Sequence, residues 1–383
     1  MDRKNIITTG CALFAMLFGA GNIVFPLILG RSLGTFTPYA LMGFILTAVL
    51  IPLVGFISVM LASGQQALFL GKLGRILGMI IGLLCMTLLG PLGATPRCIA
   101  IAHADLSWYL PGLNIWIFSA CACLGIWLFT YDKSRVIEHL GKYLGPLKII
   151  CLLAIAILGL FYPGTPITPE AISETQSFMK GFYDGYGTMD LLAIIFFSGM
   201  IYGRLQQTKN PSKKELMKKA LSVSLICGLL LTLVYAGFAG IAAIHGPSLN
   251  GIADDTLLSA LASIILGPKA GVFANLTIAL TCFVTAIALS ATFAEFISRD
   301  VFAGRISYRL ALGITIALSG VMATLRFTGI MSTIMPLISL CYPALMVFAF
   351  LHILLALGWL KLSYARSAFI LTVSLTALSS WFF

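Results

Sequence analysis

Long apolar stretches separated by short polar connections dominate the chain. Eleven of them run approximately over residues 8–30, 37–63, 76–102, 113–131, 144–162, 186–203, 220–244, 270–294, 310–325, 327–357 and 367–383. Most reach or approach the roughly 20 residues that an α-helix needs to cross a bilayer. The ninth is short, and the tenth is long and interrupted by Pro336 and Pro343. Ten or twelve spans are therefore alternatives to eleven. The pattern predicts an all-α integral membrane protein formed by one transmembrane domain, with no separate soluble domain and no low-complexity tract.

Composition strengthens this reading. Apolar residues make up 60% of the chain and charged residues 10%, against about 45–50% and 25% in soluble domains. No soluble fold has enough interior to hide that much apolar side chain. A water-soluble multidomain enzyme is excluded. The nine cysteines lie mostly inside apolar runs, as Cys121 and Cys123 do, and read as small hydrophobes without a disulfide framework. The first stretch follows Asp2-Arg3-Lys4 but continues to about Leu29. It is longer than a signal-peptide core of about 7–15 residues and reads as a retained span.

The net charge of +11 would suggest a nucleic-acid partner on a soluble chain. Here the basic residues recur between apolar stretches, where they report orientation. With the N-terminus inside, the cytoplasmic side collects Arg3, Lys4, Lys72, Arg75, Lys133, Arg135, Lys142, Lys148 and the loop from Arg204 to Lys219. The other side carries Asp105, Glu170, Glu174, Asp184, Asp254 and Asp255. The pairs Lys213-Lys214 and Lys218-Lys219 suit anionic lipid at the inner surface. An odd number of spans leaves the C-terminus outside. No nucleic-acid partner is expected, and oligomeric state is not readable.

Backbone breakers inside the apolar stretches carry the functional signal. In hydrocarbon every N–H and C=O must be bonded, so irregular backbone survives only inside protein or beside a wet cavity. The first stretch holds Gly19-Ala20-Gly21-Asn22, then Pro26, near its midpoint. An unwound turn there would bare N–H groups suited to a carboxylate and carbonyls suited to a cation. Close packing of small residues against a neighbouring helix accounts for the same glycines equally well. The sixth stretch opens with Gly185-Tyr186-Gly187-Thr188-Met189-Asp190, which is either a second break near mid-membrane or an outer loop with Thr188 as helix cap. Interrupted segments at corresponding places in two halves point to a transporter binding site.

Other signals are weaker. Thr277, Thr281 and Thr285 share one helical face, and their hydroxyls suit a hard monovalent cation. Membrane threonines more often bond back to their own helix, which is the favoured reading on residue types alone. Arg97 is costly if exposed to lipid and is expected to pair with Asp105 or to extend toward the outer interface. The four histidines show no metal-ligand spacing. No phosphate-binding loop, nucleophile elbow or dinucleotide fingerprint is visible.

The run Leu13-Phe14-Ala15-Met16-Leu17-Phe18-Gly19-Ala20-Gly21-Asn22-Ile23-Val24-Phe25-Pro26 closely resembles the first span of bacterial branched-chain amino acid:cation symporters of the BrnQ type. So do Gly90-Pro91-Leu92-Gly93-Ala94-Thr95-Pro96-Arg97, Gly185-Tyr186-Gly187-Thr188-Met189-Asp190 and Leu280-Thr281-Cys282-Phe283-Val284-Thr285-Ala286, in family order. The resemblance implies the fold of the amino acid–polyamine–organocation superfamily: two inverted five-helix repeats with broken helices 1 and 6. The repeats would cover about 8–162 and 171–357, with an extra C-terminal helix at about 367–383. It further implies a multi-pass protein of the bacterial cytoplasmic membrane that takes up leucine, isoleucine and valine with sodium, or alternatively protons, as coupling ion.

By the same resemblance, N–H groups of Ala20 and Gly21, with Asn22, would receive the substrate carboxylate. Carbonyls around Tyr186, Gly187 and Thr188 would receive its ammonium. Main-chain carbonyls of Ala15 and Phe18 with hydroxyls of Thr281 and Thr285 would hold sodium. Val284 stands where the wider superfamily can carry a hydroxyl residue. The eleven stretches leave the chain one span short of the family's usual twelve. Phe25 and Phe283 are expected to line the pocket for the aliphatic tail. In this reading the broken-helix ends compensate both charges of the zwitterion without a fixed ionised side chain. The protein is then not an enzyme, and a carrier of the same fold for another neutral amino acid is the alternative.

Overall fold

The structure, a computed structural model, describes residues 3–131, 150–164, 166, 172–206 and 212–382. The start of the fifth apolar stretch at Leu144 lies outside the described residues. So do Lys133, Arg135, Lys142, Lys148, Lys209 and Glu170. All regular structure among the described residues is helical.

The first apolar stretch forms two helices, α1 (Arg3–Leu17) and α2 (Ala20–Leu33), separated by Phe18 and an extended Gly19 (φ −102°, ψ −167°). The second forms α3 (Thr37–Ile45) and α4 (Ile51–Leu61), joined by a single wider turn at Leu46–Leu50. A short α5 (Gln66–Gly71) precedes α6 (Arg75–Leu89) and α7 (Ala94–Ser107). The third stretch is thus interrupted at residues 90–93. Pro91 supplies no N–H there, and Pro96 sits in the first turn of α7, where a missing donor costs nothing. Then come α8 (Ile115–Thr130) and α9 (Ile150–Phe161).

The second half opens with α10 (Glu174–Asp184), whose start is closed by reciprocal bonds between Ser173 and Gln176. A tight 3-10 turn at Gly185–Thr188 and a left-handed Met189 (φ 60°) lead into α11 (Asp190–Gln206). The axis bends by 41° there. Next are α12 (Lys213–Ile244) and α13 (Leu257–Phe296), the latter interrupted at Gly267 (φ 75°). The chain continues through α14 (Tyr308–Ala323), α15 (Arg326–Ala356) and α16 (Leu362–Phe382). By length and apolar character, five helical stretches among the described residues can cross a membrane, and the bent pair α10–α11 makes a sixth. Helices α8, α9, α14 and α16 coincide with expected spans but are shorter in their apolar part.

The packing has an internal symmetry. The broken pair α1–α2 lies against α12, the second helix of the second half. The broken pair α10–α11 lies against α3 and α4, the second span of the first half. Glycines set the distance in both places. A Cβ on Gly30 would collide with the Ala239 carbonyl of α12, and one on Gly181 with the backbone of Ala40 on α3. Without a hydrophobic force between helices in lipid, such backbone approach is what holds them. The buried apolar side chains of both halves merge into one core with the two breaks inside it.

Candidate functional site

The first break frees backbone groups in a defined way. In an uninterrupted helix the Gly19 N–H would bond the Ala15 carbonyl. Here it donates to Asn22 Oδ1 at 2.9 Å. The Ala15 carbonyl thereby loses its helical partner. The first N–H groups of α2, those of Ala20, Gly21 and Asn22, have no acceptor within the helix. Residues Ala20 to Pro26 are buried. The break therefore leaves the Ala15 carbonyl on one side and the first N–H groups of α2 on the other without helical partners.

The second break is arranged differently. The Tyr186 carbonyl accepts the Met189 N–H at 3.0 Å, closing the turn. Thr188 Oγ1 donates to the Gly185 carbonyl at 2.9 Å and accepts the Asp190 N–H at 3.4 Å. Gly185, Tyr186, Gly187 and Thr188 are all buried, so this segment is not an outer loop. The Tyr186 ring stacks on Tyr342 with centroids 4.7 Å apart. The Gly187 carbonyl accepts from Arg97 Nη1 at 2.6 Å. Phe25 lies so close to Gly187 that a Cβ there would stand 2.1 Å from the tip of its ring, and it packs edge-on against Phe327 at 5.9 Å.

The two breaks are braced to each other. Asn22 Nδ2 donates to both oxygens of Asp190, at 2.9 and 2.7 Å, and to the Tyr235 hydroxyl. Tyr235 donates to Asp190 Oδ2 at 3.0 Å. Asp190 and Tyr235 are fully buried and Asn22 is 1% exposed. The brace spans α2, α11 and α12. Tyr235 also packs between Phe18 (6.2 Å) and Phe44 (5.1 Å).

Three expectations change. Arg97 neither reaches the outer interface nor pairs with Asp105. It is 2% exposed and points into the core. Asp105 accepts from Ser259 at 2.5 Å instead. Eight residues along a helix separate Arg97 and Asp105 by about 12 Å, too far for a pair. The breaks are also not free of ionisable side chains, because Arg97 and Asp190 meet them directly. Phe283 lies away from Phe25. Its ring abuts Gly125 and stands 6.2 Å from Phe129, both on α8. Phe283 is two residues past Thr281, about 200° around the helix, so the two cannot face the same way.

The hydroxyl face of α13 bonds to its own helix. Thr281 Oγ1 donates to the Ile278 carbonyl at 2.8 Å, and Thr285 Oγ1 to the Thr281 carbonyl at 2.8 Å. The hydrogens are thereby committed and the oxygen lone pairs remain, which is the donor set a hard cation needs. Helix α13 packs on α2, while α1 packs on α12 and α11.

At the end of α2, Arg31 bridges to Asp254 (2.5 Å) and bonds the Ile252 carbonyl (2.6 Å). This ties the broken helix to the loop before α13. Neighbouring Asp255 has its carboxyl pushed up from the usual range by burial, with Arg326 pulling the other way.

Sequence reasoning finds both breaks but misses Arg97, Asp190 and Tyr235 as parts of the site. Arg97 and Asp190 carry a usable signal, since ionisable residues within spans are functional by default. Tyr235 carries none.

Two buried helix breaks, each broken pair packed on the second span of the other half, form the architecture of a multi-pass membrane transporter. Solved structures agree on the fold. Mhp1, a nucleobase-cation-symport-1 family transporter, in a closed conformation with bromovinylhydantoin bound, is 12% identical with a TM-score of 0.61, covering 90% of this chain and 77% of that one. MhsT in complex with L-phenylalanine is 16% identical with a TM-score of 0.58, covering 98% of both chains. The family model for branched-chain amino acid transport proteins matches residues 2–382, and the chain belongs to that family. Among its relatives, the branched-chain amino acid transport system 3 carrier protein of Pseudomonas aeruginosa is 29% identical over 355 residues, 91% of this chain and 80% of that protein. The branched-chain amino acid permease BraB of Bacillus subtilis is 28% identical over 352 residues, 90% and 78% respectively. The permease BrnQ of Escherichia coli K12 is 28% identical over 361 residues, 91% and 81%.

Proposed function

We propose that this protein is a secondary active transporter of the bacterial cytoplasmic membrane that takes up leucine, isoleucine and valine by sodium-coupled alternating access. The observation that supports the reading is the closeness of the two breaks: the start of α2, whose first N–H groups lack helical acceptors, lies beside the carbonyl of Gly187, 3.1 Å from a Cβ built on Gly21. A zwitterion needs an N–H cluster for its carboxylate and carbonyls for its ammonium, and this arrangement offers both at one buried place. The N–H groups of Ala20 and Gly21 hold the carboxylate. The Gly187 carbonyl takes the ammonium, with Tyr186 and Thr188 shaping the turn that presents it. Asn22 positions both breaks through Asp190. Phe25 forms the apolar wall, a role Phe283 does not share.

Sodium sits among the carbonyls of Ala15 and Phe18 and the hydroxyls of Thr281 and Thr285. It supplies positive charge beside the break and couples uptake to its own gradient. Each sodium entering down a potential of about 100 mV contributes roughly 2.3 kcal/mol, besides its concentration gradient. An apolar pocket separates side chains differing by one methylene by only about 1–3 kcal/mol. Leucine, isoleucine and valine therefore compete for one site, and charged amino acids are excluded. The two halves, residues 8–162 and 171–357, rock about this site, with the N-terminus in the cytoplasm.

Radiolabelled leucine uptake into proteoliposomes tests the reading, with sodium, lithium and proton gradients imposed separately. Accumulation above the outside concentration under an inward sodium gradient is expected. Accumulation under a proton gradient alone would replace sodium with the proton. Equilibration without accumulation would make the protein a passive facilitator.

A further inference from the structure

Arginine is among the costliest side chains to bury within a membrane protein, and one held there normally has a counter-charge. Arg97 is 2% exposed. Its Nη1 donates to the Gly187 carbonyl at 2.6 Å and touches Met331 Sδ at 3.4 Å. Its Nε–H is buried with no partner. Among the described residues no carboxylate forms an ion pair with it. Asp190 lies within Coulombic range, but its carboxylate is bonded to Asn22 and Tyr235 and makes no hydrogen bond to Arg97. The guanidinium also faces the other break. A Cβ built on Gly21 would lie 2.9 Å from Arg97 Nη1 and 3.1 Å from the Gly187 carbonyl oxygen. It thus stands between the N–H end of α2 and the carbonyl of the second break, with a donor to spare.

We infer that Arg97 is a substrate-binding residue: its guanidinium, which holds the Gly187 carbonyl, pairs with the carboxylate of the amino acid seated on α2 and yields that carbonyl to the substrate's ammonium. The inference rests on the zwitterion site proposed above. Loading is an exchange. The incoming ammonium replaces the guanidinium on Gly187, and the guanidinium turns to the incoming carboxylate, with Nε–H gaining the acceptor it lacks. Because the substrate is neutral overall, the net charge of the pocket does not change. An amino alcohol brings the ammonium without the anion and sets two cations side by side. A carboxylic acid without the amine leaves the Gly187 carbonyl unpaired. The site therefore demands both charges of an α-amino acid, and a side chain enforces the anionic half.

The test compares leucine, leucinol and 4-methylpentanoate by their shift of the unfolding temperature of the full-length protein in detergent, for wild type, Arg97→Gln and Arg97→Lys. Leucine uptake is measured alongside. Charge-assisted hydrogen bonds of this kind correspond to about a tenfold or larger loss of leucine affinity in Arg97→Gln. Leucinol, relieved of the cation beside its ammonium, should bind as well or better, so the preference for leucine over leucinol collapses. Arg97→Lys, a point charge without the planar fork, should keep part of the preference. If Arg97→Gln does not yield folded protein, Arg97→Lys carries the test, and a wild-type preference in it overturns the inference. Equal loss of leucine and leucinol in Arg97→Gln, as from a structural defect, also overturns it. A wild type that neither binds nor transports branched-chain amino acids removes the proposed function and this inference together. A wild type that does, with an unchanged preference in Arg97→Gln, removes the arginine alone.

Discussion

The two helix breaks differ in what they leave open and in what fills the space. The first is two residues long and carries no charge of its own. It bares N–H groups at the start of α2, and its one repair is the Asn22 side chain folding back onto the Gly19 N–H. The second is a four-residue turn closed by its own hydrogen bonds, with a left-handed Met189 and a carboxylate at the start of the next helix. Its exposed carbonyl, that of Gly187, is already capped by Arg97. In the proposed function one break serves the anionic end of the substrate and the other its cationic end, where Arg97 now sits. Inversion of the repeats supplies the geometry, because it points a helix start at one end of the site and a turn carbonyl at the other. Side chains from α7 and α12 then make the two ends unequal.

The sharpest way to break this comparison is to fill the first break. Gly21→Leu places a side chain against the Arg97 guanidinium and the Gly187 carbonyl, where even a Cβ is tight. Leucine uptake should fall to background while the amount of protein in the membrane stays near wild type. Normal uptake in that variant would mean that substrate does not sit between the breaks. Gly187→Val should be as damaging, but for a different reason, since its Cβ must displace the Phe25 ring.

Next in size is the brace between the breaks. Asp190→Leu leaves the Asn22 amide and the Tyr235 hydroxyl without their shared acceptor, in a place that water does not reach. Hydrogen bonds to charged groups contribute about 1.5–3 kcal/mol each, and stranding their partners costs a further ~1–3 kcal/mol. The unfolding temperature in detergent should drop by several degrees or more. An unchanged value would make the brace incidental.

These residues also mark how far the sequence is legible. The breaks themselves can be read because glycine, asparagine and proline clustered in mid-span seldom belong to an unbroken helix. The helices can be read because lipid enforces one backbone solution. Arg97 escapes such a reading because its role depends on the interruption at 90–93, whose effect on direction is a matter of three dimensions. Asp190 is visible in its motif, yet its partners lie 168 residues before it and 45 after. Tyr235 sits in an apolar run of α12, where an aromatic residue reads as packing. Phe283 invites assignment to the pocket by its place in a motif, although its angular distance from Thr281 already sets it on another face. Local pattern reports where a helix must stop. It does not report which distant side chain arrives at the opening.

Smaller still is the effect expected at the cation side of the first break. Thr285→Ala removes one hydroxyl oxygen from the proposed sodium shell and a bond to the Thr281 carbonyl that the helix does not need. The sodium concentration for half-maximal uptake should rise about tenfold, the equivalent of about 1.4 kcal/mol. Leucine recognition at saturating sodium should change little. An unchanged sodium dependence would place the cation elsewhere. That would detach the carbonyls of Ala15 and Phe18 from coupling and leave the first break a substrate site alone.

The mildest change tests whether the brace is centred on Asp190 or on Tyr235. Tyr235→Phe removes only the hydroxyl. The ring keeps its contacts with Phe18 and Phe44, and Asn22 keeps both of its bonds to Asp190. Two hydrogen bonds are lost, that from Tyr235 to Asp190 and that from Asn22 to the hydroxyl, while Asn22 and Asp190 stay bonded to each other, so the cost should be about 1–2 kcal/mol. Uptake should persist with a modestly lower unfolding temperature. A loss as large as that of Asp190→Leu would show that the tyrosine, and through it α12 of the second half, holds the two breaks in register. The carboxylate would then be the dependent partner, and the asymmetry between the breaks would originate in α12 rather than in α11.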